Sequence, residues 1–334
     1  MKLLVAGGAG FIGSNFVRHI IKKYSNYSVI NLDLLTYAGN LENLDDIKNF
    51  PNYKFLKGNI ADEKLVNEIT INVDAVVNFA AESHVDRSIE GPSVFIKTNV
   101  LGTQVLLEAA KKNKVKRFMQ ISTDEVYGTL GETGCFSENS PIQPNSPYSA
   151  SKAGADLIVR SYFETYGFPS IITRCSNNYG PNQFPEKFIP LLITNAFEGK
   201  ELPIYGDGLN VRDWIHVKDH GEAIDVVLHK GKDGEVYNIG GNCEKKNIDI
   251  AKLILNKTGK GESLIKFVKD RLGHDRRYAI DSTKIKNELG WSPKYDFGNG
   301  ISDTINWYKE NRNWWLKIKS GEYMRYYERM YKNR

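Results

Sequence analysis

Short apolar runs alternate with amphipathic stretches through the first half of the chain. Six apolar runs predict strands, at residues 2–6, 28–33, 54–58, 74–81, 117–122 and 170–174. Between them, helical spacing of apolar residues predicts helices near 11–23, 62–70, 93–113 and 148–167. This alternation predicts an α/β protein with a doubly wound parallel sheet. The nearly continuous apolar run "DAVVNFAA" suits a strand that is covered on both faces.

A glycine-rich turn, "GGAGFIG" (Gly7 to Gly13), follows the first predicted strand and opens the first helix. Glycine there allows a tight turn, a close approach to a pyrophosphate and close helix–strand packing, while the helix N-terminus presents free N–H groups to phosphates. Asp33 ends the next strand, where a carboxylate can bond both ribose hydroxyls and repel a 2′-phosphate. The pattern predicts an NAD-binding Rossmann domain; a structural turn with Asp33 as a helix cap is the alternative.

The regular alternation of strands and helices breaks off in the second half of the chain. Glycine, proline and asparagine interrupt residues 176–216, with one helix near 188–198, and a helix at 219–230 and a strand at 235–239 predict a return to the sheet. Further helices are predicted near 247–257 and 299–311. We predict an NAD-binding domain at 1–175 plus about 211–240. A smaller, discontinuous substrate-binding α+β domain takes about 176–210 and 241–334, with part of 290–315 packing on the first domain.

Composition narrows the class of protein. The 334 residues are 41% apolar and 25% charged, with a mean hydropathy of −0.43, as in ordinary globular proteins. The chain shows neither a membrane-length apolar run nor a secretory leader, so we expect a cytoplasmic protein. The net charge of +5 comes from 45 basic and 40 acidic residues spread along the chain, and predicts no nucleic-acid partner. Three scattered cysteines, Cys135, Cys175 and Cys243, predict buried or half-buried free thiols and no metal site.

Candidate chemistry lies in two further stretches. Tyr148 and Lys152 stand four residues apart in "PYSASKAGADLIV", so a helix places both on one face. A nearby ammonium favours the phenolate, which lets a tyrosine act as a base. Thr123, in "STDEVYG", ends an intervening strand, where doubly wound sheets bind their ligands. Taken alone, the Tyr–Lys pair would also suit a solvated surface helix.

Together these features resemble the extended short-chain dehydrogenase/reductase family, in which Ser/Thr, Tyr and Lys handle a hydroxyl proton beside the nicotinamide. Over essentially the whole chain, the sequence is similar to the dTDP-glucose 4,6-dehydratases of that family. The stretches that carry this likeness include "AAESHVDRSI", "STDEVYG", "NSPYSASKA", "TRCSNNYGP", "LPIYGDGLNVRDWIHV", "VYNIGG" and "DRLGHDRRYAID". Two positions depart from the family pattern: Ala6 replaces a threonine, and Asn59 replaces an aspartate that would bond the adenine. We expect Asn59 to alter cofactor affinity and not chemistry.

The resemblance implies an internal redox cycle on dTDP-glucose. Tyr148 takes the C4 hydroxyl proton while the C4 hydride passes to NAD; Thr123 holds that oxygen, and Lys152 tunes the tyrosine and grips the ribose. Glu125 removes the acidified C5 proton, Asp124 donates a proton to the departing C6 hydroxyl, and the hydride returns to C6. The product, dTDP-4-keto-6-deoxy-glucose, feeds dTDP-rhamnose or other deoxysugar synthesis. Adjacent carboxyl groups repel when both are ionised, which raises one pKa and favours this division.

The resemblance also implies a set of contacts and an assembly. It implies NAD contacts at Gly7, Gly10, Phe11, Ile12, Gly13, Asp33, Leu34, Leu35, Thr36, Asn59, Ile60, Phe79, Ala80, Ala81, Ser83, Thr98, Tyr148, Lys152 and Asn178. It implies substrate contacts at Ser83, His84, Thr123, Asn177, Lys187, Phe188, Pro203, Ile204, Tyr205, Arg212, Asn247, Asp270, Arg271 and His274. For any single substrate contact, a surface or packing role is the alternative. A homodimer joined by the helices near 93–113 and 148–167 is the assembly usual in the family.

Other functions remain open at this point. A sugar-nucleotide 4-epimerase shares the cofactor site and the Tyr–Lys pair, but it has no use for adjacent Asp and Glu. Dehydratases of CDP-glucose or of UDP-linked amino sugars typically resemble Thr/Ser-Asp-Lys here, and those of GDP-mannose place one Glu. A catalytically idle NAD-binding sensor or scaffold would be expected to lack Tyr148, Lys152 or a carboxylate, and all are present.

Overall fold

A seven-stranded parallel sheet forms the centre of the computed structural model, which describes residues 1–270 and 273–320. From one edge to the other, its strands are β10 (Val236–Ile239), β6 (Ser170–Cys175), β5 (Arg117–Thr123), β4 (Ala75–Asn78), β1 (Lys2–Ala6), β2 (Ser28–Asp33) and β3 (Tyr53–Lys57). All six pairings are parallel. The predicted α/β fold with a doubly wound sheet is therefore confirmed.

Both faces of the sheet are covered by helices, which explains why its central strands are largely apolar. The helices around the sheet are α1 (Phe11–Lys23), α2 (Glu63–Ile69), α5 (Thr103–Lys112), α6 (Pro147–Tyr166), α8 (Val217–Lys230) and α10 (Thr283–Leu289). On β1, Leu3 packs with α1, α8 and α10, whereas Leu4 packs with α2, α5 and α6, as the two-residue period of a strand requires. In the described part of the chain, no helix is long and apolar enough to cross a membrane.

The predicted helix at 93–113 is found as three segments. Beyond α3 (Val85–Glu90), helix α4 (Pro92–Phe95) runs through a π-helical turn at Ile96–Gly102 into α5. Within the wide turn, the Asn99 side chain accepts from the backbone N–H of Glu82 and donates to the hydroxyl of Ser151 at 2.8 Å. The turn therefore ties the loop after β4 to α6. Strand β4 is shorter than predicted and ends at Asn78, because the chain after it enters this loop.

The remaining elements form two small sheets and a separate core. A three-stranded sheet consists of β11 (Glu244–Lys246), β9 (Val211–His216) and β7 (Asn177–Tyr179), and a two-stranded sheet of β12 (Ile265–Val268) and β8 (Leu202–Tyr205). With them pack α7 (Phe188–Glu198), α9 (Asn247–Thr258), α11 (Phe297–Glu310) and α12 (Arg312–Ile318). The predicted domain limits stay a prediction; β9, assigned to the NAD-binding part, pairs in the small sheet, whereas α8 and β10 belong with the large one.

Candidate active site

A cleft of about 310 Å³ lies where the central strands end. Parallel strands bring their carboxyl ends to one edge, so loops that are distant in sequence meet there. The predicted NAD contacts that line the cleft are Gly7, Gly10, Phe11, Ile12, Gly13, Asp33, Leu34, Thr36, Asn59, Ile60, Phe79, Ala80, Ala81, Ser83, Thr98, Tyr148, Lys152 and Asn178. Leu35 does not line it; its backbone N–H instead donates to Asp33 at 2.8 Å.

The glycine turn between β1 and α1 leaves no room for side chains. Gly7 has a φ of +76°, and a Cβ on it would stand 2.5 Å from the backbone nitrogen of Ala80. A Cβ on Gly13 would stand 2.3 Å from the carbonyl oxygen of Gly7. Both contacts are shorter than non-bonded atoms allow, so these two glycines are required by the backbone itself. The open cradle above the N-terminus of α1 fits a pyrophosphate group.

The Asp33 carboxylate is fixed beside that turn. Its two oxygens accept hydrogen bonds from the backbone N–H groups of Ala9, at 2.9 Å, and Leu35, at 2.8 Å. Burial raises the pKa of Asp33, and these two donors lower it. Nearby, Asn59 accepts from the backbone N–H of Ala61 at 2.9 Å, which shapes the turn after β3. These residues fit the diphosphate, ribose and adenine of NAD.

Tyr148 and Lys152 lie one turn apart near the start of α6. Pro147 occupies the first helical position, and Ser146 caps the helix with a reciprocal bond to Ser149. The Lys152 ammonium donates to the carbonyl oxygen of Ile121 at 2.6 Å, which fixes α6 against the end of β5. Burial lowers the pKa of Lys152. Both side chains line the cleft, so the structure brings the predicted pair together.

The acidity of Tyr148 differs from the sequence-based expectation. Burial raises its pKa well above the ordinary value, and the nearby charges of Glu125 and Asp124 act in the same direction. The phenol is therefore protonated in the protein alone, and Lys152 does not offset its desolvation. A cationic group in the cleft would favour the phenolate.

Thr123, Asp124 and Glu125 form the turn that follows β5. The Thr123 hydroxyl accepts from the backbone N–H of Glu125 and donates to Oδ1 of Asp124, both at 3.2 Å. The Asp124 side chain is buried, and no hydrogen bond from a described residue reaches its Oδ2. Burial, then the charges of Glu125 and Asp213, raises the pKa of Asp124 well above its usual range. Burial therefore favours the protonated form of Asp124, which lies beside a second carboxyl group.

The predicted substrate contacts fall into two groups. Ser83, Thr123, Asn177 and Lys187 line the cleft, and the Lys187 ammonium donates to the carbonyl oxygen of Ser83 at 2.8 Å. His84 is buried one residue farther along and lies 4.0 Å from a carboxylate oxygen of Glu186.

The second group lies outside the lining of the cleft, in the small domain. Its described members are Phe188, Pro203, Ile204, Tyr205, Arg212, Asn247, Asp270 and His274. His274 hydrogen-bonds Asp270 at 2.6 Å and meets the Tyr205 ring edge-on at 6.0 Å between ring centres. Arg212 stacks over Tyr278 at 4.4 Å and donates to the backbone carbonyl of Asp275. Asn247 begins α9, and Phe188 stacks on Trp214. Arg271 lies outside the described residues.

The sequence reasoning missed several residues of the cleft wall. Tyr37, Glu82 and Glu186 line the cleft, and Arg87 stacks on Tyr37 at 4.1 Å while it binds Glu186 at 3.0 Å. Tyr37, Glu82 and Glu186 come from three loops and Arg87 from α3, so their meeting depends on tertiary structure. Only Glu82 and Arg87 stood in a stretch already singled out. Of the predicted thiols, Cys175 is buried in the cleft wall with a pKa raised to about 12, Cys243 is half-buried and Cys135 is exposed.

Comparisons with known proteins agree with this geometry. A family model described as GDP-mannose 4,6 dehydratase matches residues 4–304. A dTDP-glucose 4,6-dehydratase from Xanthomonas campestris is 53% identical over 340 residues, covering 96% of both chains. The structure of DesIV, the dTDP-glucose 4,6-dehydratase of Streptomyces venezuelae with NAD and dTDP bound, is 51% identical with a TM-score of 0.94, covering 96% of this chain and 100% of that one.

An epimerase structure is more distant. UDP-glucose 4-epimerase from Thermotoga maritima is 32% identical with a TM-score of 0.87, covering 93% of this chain and 100% of that one. The two enzyme types therefore share the fold, and sequence identity separates them. With this match over nearly its full length, the chain belongs to the dTDP-glucose 4,6-dehydratase family of the extended short-chain dehydrogenases/reductases.

Proposed function

We propose that this chain is an NAD-dependent dTDP-glucose 4,6-dehydratase, a hydro-lyase that converts dTDP-glucose to dTDP-4-keto-6-deoxy-glucose and water. The observation that carries the proposal is the Asp124–Glu125 pair in the same cleft as Tyr148 and Lys152. An enzyme that only oxidises and reduces C4 needs the second pair of residues and not the first. Burial raises the pKa of Asp124, which suits it to act as a proton donor next to the redox residues.

The first half of the reaction is the oxidation at C4. Tyr148 accepts the proton of the C4 hydroxyl, and Thr123 holds that oxygen. Lys152, anchored on the carbonyl of Ile121, holds a positive charge near the tyrosine. The cradle of Gly7 to Gly13 and the Asp33 carboxylate would hold NAD, which would supply the acceptor for the C4 hydride and its source for C6.

The second half is the loss of water across C5 and C6. A ketone at C4 acidifies the C5 proton, and Glu125 removes it. Asp124 transfers its own proton to the C6 hydroxyl, which leaves as water. Return of the hydride to C6 requires a proton at C5, which Glu125 gives back, so Glu125 ends the cycle unchanged. Tyr148 has then gained one proton and Asp124 has lost one, and transfer of that proton through solvent restores both.

The nucleotide half of the substrate is proposed to extend from the cleft into the small domain. Lys187 lines the cleft and caps the start of α7, and Phe188 stacks there on Trp214 of β9. Arg212 lies two residues before Trp214 on β9. The strand therefore links the part next to the cleft to a guanidinium group that suits phosphate binding. Ser83, His84, Thr123 and Asn177 are proposed to contact the sugar. Pro203, Ile204, Tyr205, Asn247, Asp270 and His274 are proposed to contact the nucleoside and diphosphate, as is Arg271.

A product assay tests the proposed function. The NAD-loaded protein is incubated separately with the dTDP-, UDP-, CDP- and GDP-linked sugars, and the products are separated and weighed by mass spectrometry. We expect dTDP-glucose to give a keto-sugar nucleotide lighter by one water, without net consumption of NADH. Recovery of dTDP-galactose would instead identify a 4-epimerase, and selective turnover of another nucleotide sugar would move the enzyme to a different dehydratase class.

We further propose that the protein is a homodimer joined through α4, α5 and α6. Helices α4 and α6 and the π-helical turn between α4 and α5 carry exposed apolar side chains that a second copy would cover. They are Val94, Ile96, Leu101 and Leu157, which are 46–54% accessible. Light scattering after gel filtration should give twice the monomer mass for the wild type and the monomer mass for Leu157→Glu. Phe267→Glu, on the equally exposed Phe267 of β12, is the matched control and should stay dimeric.

The cytoplasm is the proposed site of action. Cys135, Cys175 and Cys243 are all free thiols, as expected in a reducing compartment. The proposed product is a precursor for dTDP-rhamnose or for other deoxysugars. Fractionation of the source cells, with a cytoplasmic marker enzyme as reference, tests the location.

A further inference from the structure

A buried polar network lies beneath the two halves of the active site. Asp156 follows Lys152 by one turn of α6, and its Oδ2 accepts a hydrogen bond from Nε of Arg174 at 2.9 Å. Arg174 belongs to β6, next to the strand that ends in Thr123. A second guanidinium nitrogen of Arg174 donates to the Tyr127 hydroxyl at 3.0 Å. Since Tyr127 ends the turn that carries Asp124 and Glu125, the network joins the catalytic helix to the acid–base turn.

The network places one carboxylate between two buried cations. Lys152 and Arg174 are each 4% exposed, and Asp156 is 1% exposed. Burial raises the pKa of Asp156, whereas the Arg174 guanidinium, which keeps its charge under all ordinary conditions, lowers it and so favours the ionised carboxylate. Residues four apart on a helix are neighbours, which puts the same carboxylate next to Lys152. The influence of Asp156 on Lys152 is Coulombic, because no hydrogen bond joins the two side chains.

Lys152 needs such a neighbour. Its hydrogen bond to the carbonyl oxygen of Ile121 engages a neutral group, and an isolated ammonium taken out of water tends to lose its proton. We propose that Asp156 is a positioning residue that holds Lys152 as an ammonium against the end of β5, with Arg174 and Tyr127 fixing Asp156 in turn. The inference rests on the proposed function, because the ammonium serves Tyr148 during oxidation at C4.

The other ionisable groups around Lys152 do not replace Asp156. Burial lowers the pKa of Lys152, and the charge of Asp156 is the first of the effects that raise it. The Cys175 thiol of β6 acts in the same direction only as a thiolate, and its pKa of about 12 keeps it neutral. The groups on the packed elements are Tyr148 and Asp156 of α6, Arg174 and Cys175 of β6, and Asp124, Glu125 and Tyr127 after β5. Burial raises the pKa of both Asp124 and Tyr148, and Asp156 and Cys175 are the two groups whose charges raise the pKa of Lys152.

The test is Asp156→Asn, followed across pH. Without the carboxylate, Lys152 gives up its proton at lower pH, so the alkaline limb of the kcat profile should move down by about one to two pH units. Asp156→Glu keeps the charge and should leave the limb closer to the wild-type position. The single change also leaves Arg174 buried without its anion. If that prevents folding, Asp156→Asn/Arg174→Gln removes both charges and should show the same downward shift.

A matched control separates this effect from simple destabilisation. Asp225→Asn removes another buried carboxylate, which binds Lys23 at 2.6 Å and His19 at 2.8 Å between α1 and α8. It should lower the melting temperature and leave the alkaline limb unchanged. A folded Asp156→Asn protein, single or double variant, with the wild-type limb would overturn the proposal.

A second readout does not depend on turnover. Competitive labelling with acetic anhydride across pH, followed by mass spectrometry of the Lys152 peptide, reports the ionisation of that amine directly. We expect half-maximal labelling at lower pH in Asp156→Asn than in the wild type. Wild-type protein that converts no dTDP-glucose defeats the proposed function alone, whereas identical labelling curves defeat the role of Asp156 alone.

Discussion

The division of labour between Asp124 and Glu125 can be separated by two nearly isosteric changes. Glu125→Gln removes the group that takes the C5 proton, and Asp124→Asn removes the group that gives a proton to the C6 hydroxyl. Oxidation at C4 depends on Thr123, Tyr148 and Lys152, so it should survive in both variants. Each variant should therefore convert dTDP-glucose to a 4-keto sugar that keeps its C6 hydroxyl.

The size of the effect follows from the environment of the pair. A positioned general acid or base contributes about 10²–10⁴-fold, which corresponds to about 2.7–5.4 kcal/mol of barrier. Burial disfavours the charged form of Asp124 by raising its pKa, and an amide keeps both the shape of the side chain and its ability to accept from Thr123. We therefore expect the free energy of unfolding of Asp124→Asn to stay within about 1 kcal/mol of the wild type, so the lost rate is a loss of chemistry.

Deuterium exchange distinguishes the two roles. In D₂O, Asp124→Asn retains the base and should incorporate deuterium at C5 of the 4-keto intermediate without losing water. Glu125→Gln should neither incorporate deuterium at C5 nor lose water. Quenched samples are reduced with borohydride, and the deuterium content of the sugar nucleotide is measured by mass spectrometry. If Glu125→Gln exchanged C5 as fast as Asp124→Asn, or eliminated water at the wild-type rate, the assignment of the base would be wrong.

Three further predictions test the cofactor site and the fold. Gly7→Ala should fold poorly or lose NAD, because φ is +76° and the new Cβ meets backbone; Gly131→Ala, with no atom within 4 Å, is the control in NAD titration and melting. Asn59→Asp keeps the acceptor of the local turn and should tighten NAD binding about threefold to tenfold by calorimetry. Asp225→Asn should lower the free energy of unfolding by about 2–3 kcal/mol in urea titrations. The pKa of His229 is raised by Asp225, so their joint stabilisation is full below about pH 6.5 and is lost as pH rises through the folded pKa of His229. The deficit of Asp225→Asn should accordingly shrink near pH 9.

The large sheet could be predicted from local pattern because its strands are covered on both faces. Leu3 and Leu4 of β1 pack into different hydrophobic cores on the two faces of the sheet. A strand that is buried on both faces has consecutive apolar residues, which can be recognised in the sequence. The π-helical turn at Ile96–Gly102 could not be predicted in the same way. It depends on bonds from Asn99 to Glu82 and Ser151, which lie 17 and 52 residues away. The spacing of apolar residues predicts the helix, but it gives no information on the long-range contacts of Asn99 that accompany the π-helical turn.

The cofactor site shows the same distinction at the scale of single residues. Gly7, Gly13 and Asp33 could be predicted from the sequence, because a tight backbone turn requires glycine and a ribose is bound by a carboxylate. Arg87 and Glu186 carry no such local requirement, although they close the cleft wall together at 3.0 Å. They are 99 residues apart in the sequence, and only tertiary packing brings Arg87 of α3 into contact with the segment that carries Glu186.

The ionisation of the active site is the part that most needed three dimensions. Adjacent Asp124 and Glu125 imply that one pKa must rise, but residue order alone does not say which. The structure decides for Asp124, because burial is the largest cause of its raised pKa. The same burial keeps Tyr148 protonated, contrary to the simple expectation from Lys152 at helical spacing. Burial in one pocket therefore favours the protonated form of both Asp124 and Tyr148. That form is the one Asp124 needs as the acid of elimination, but Tyr148 needs to be deprotonated to act as the base of oxidation. Charge brought by a ligand, together with an ammonium held by Asp156, would then release the tyrosine only when the cleft is filled.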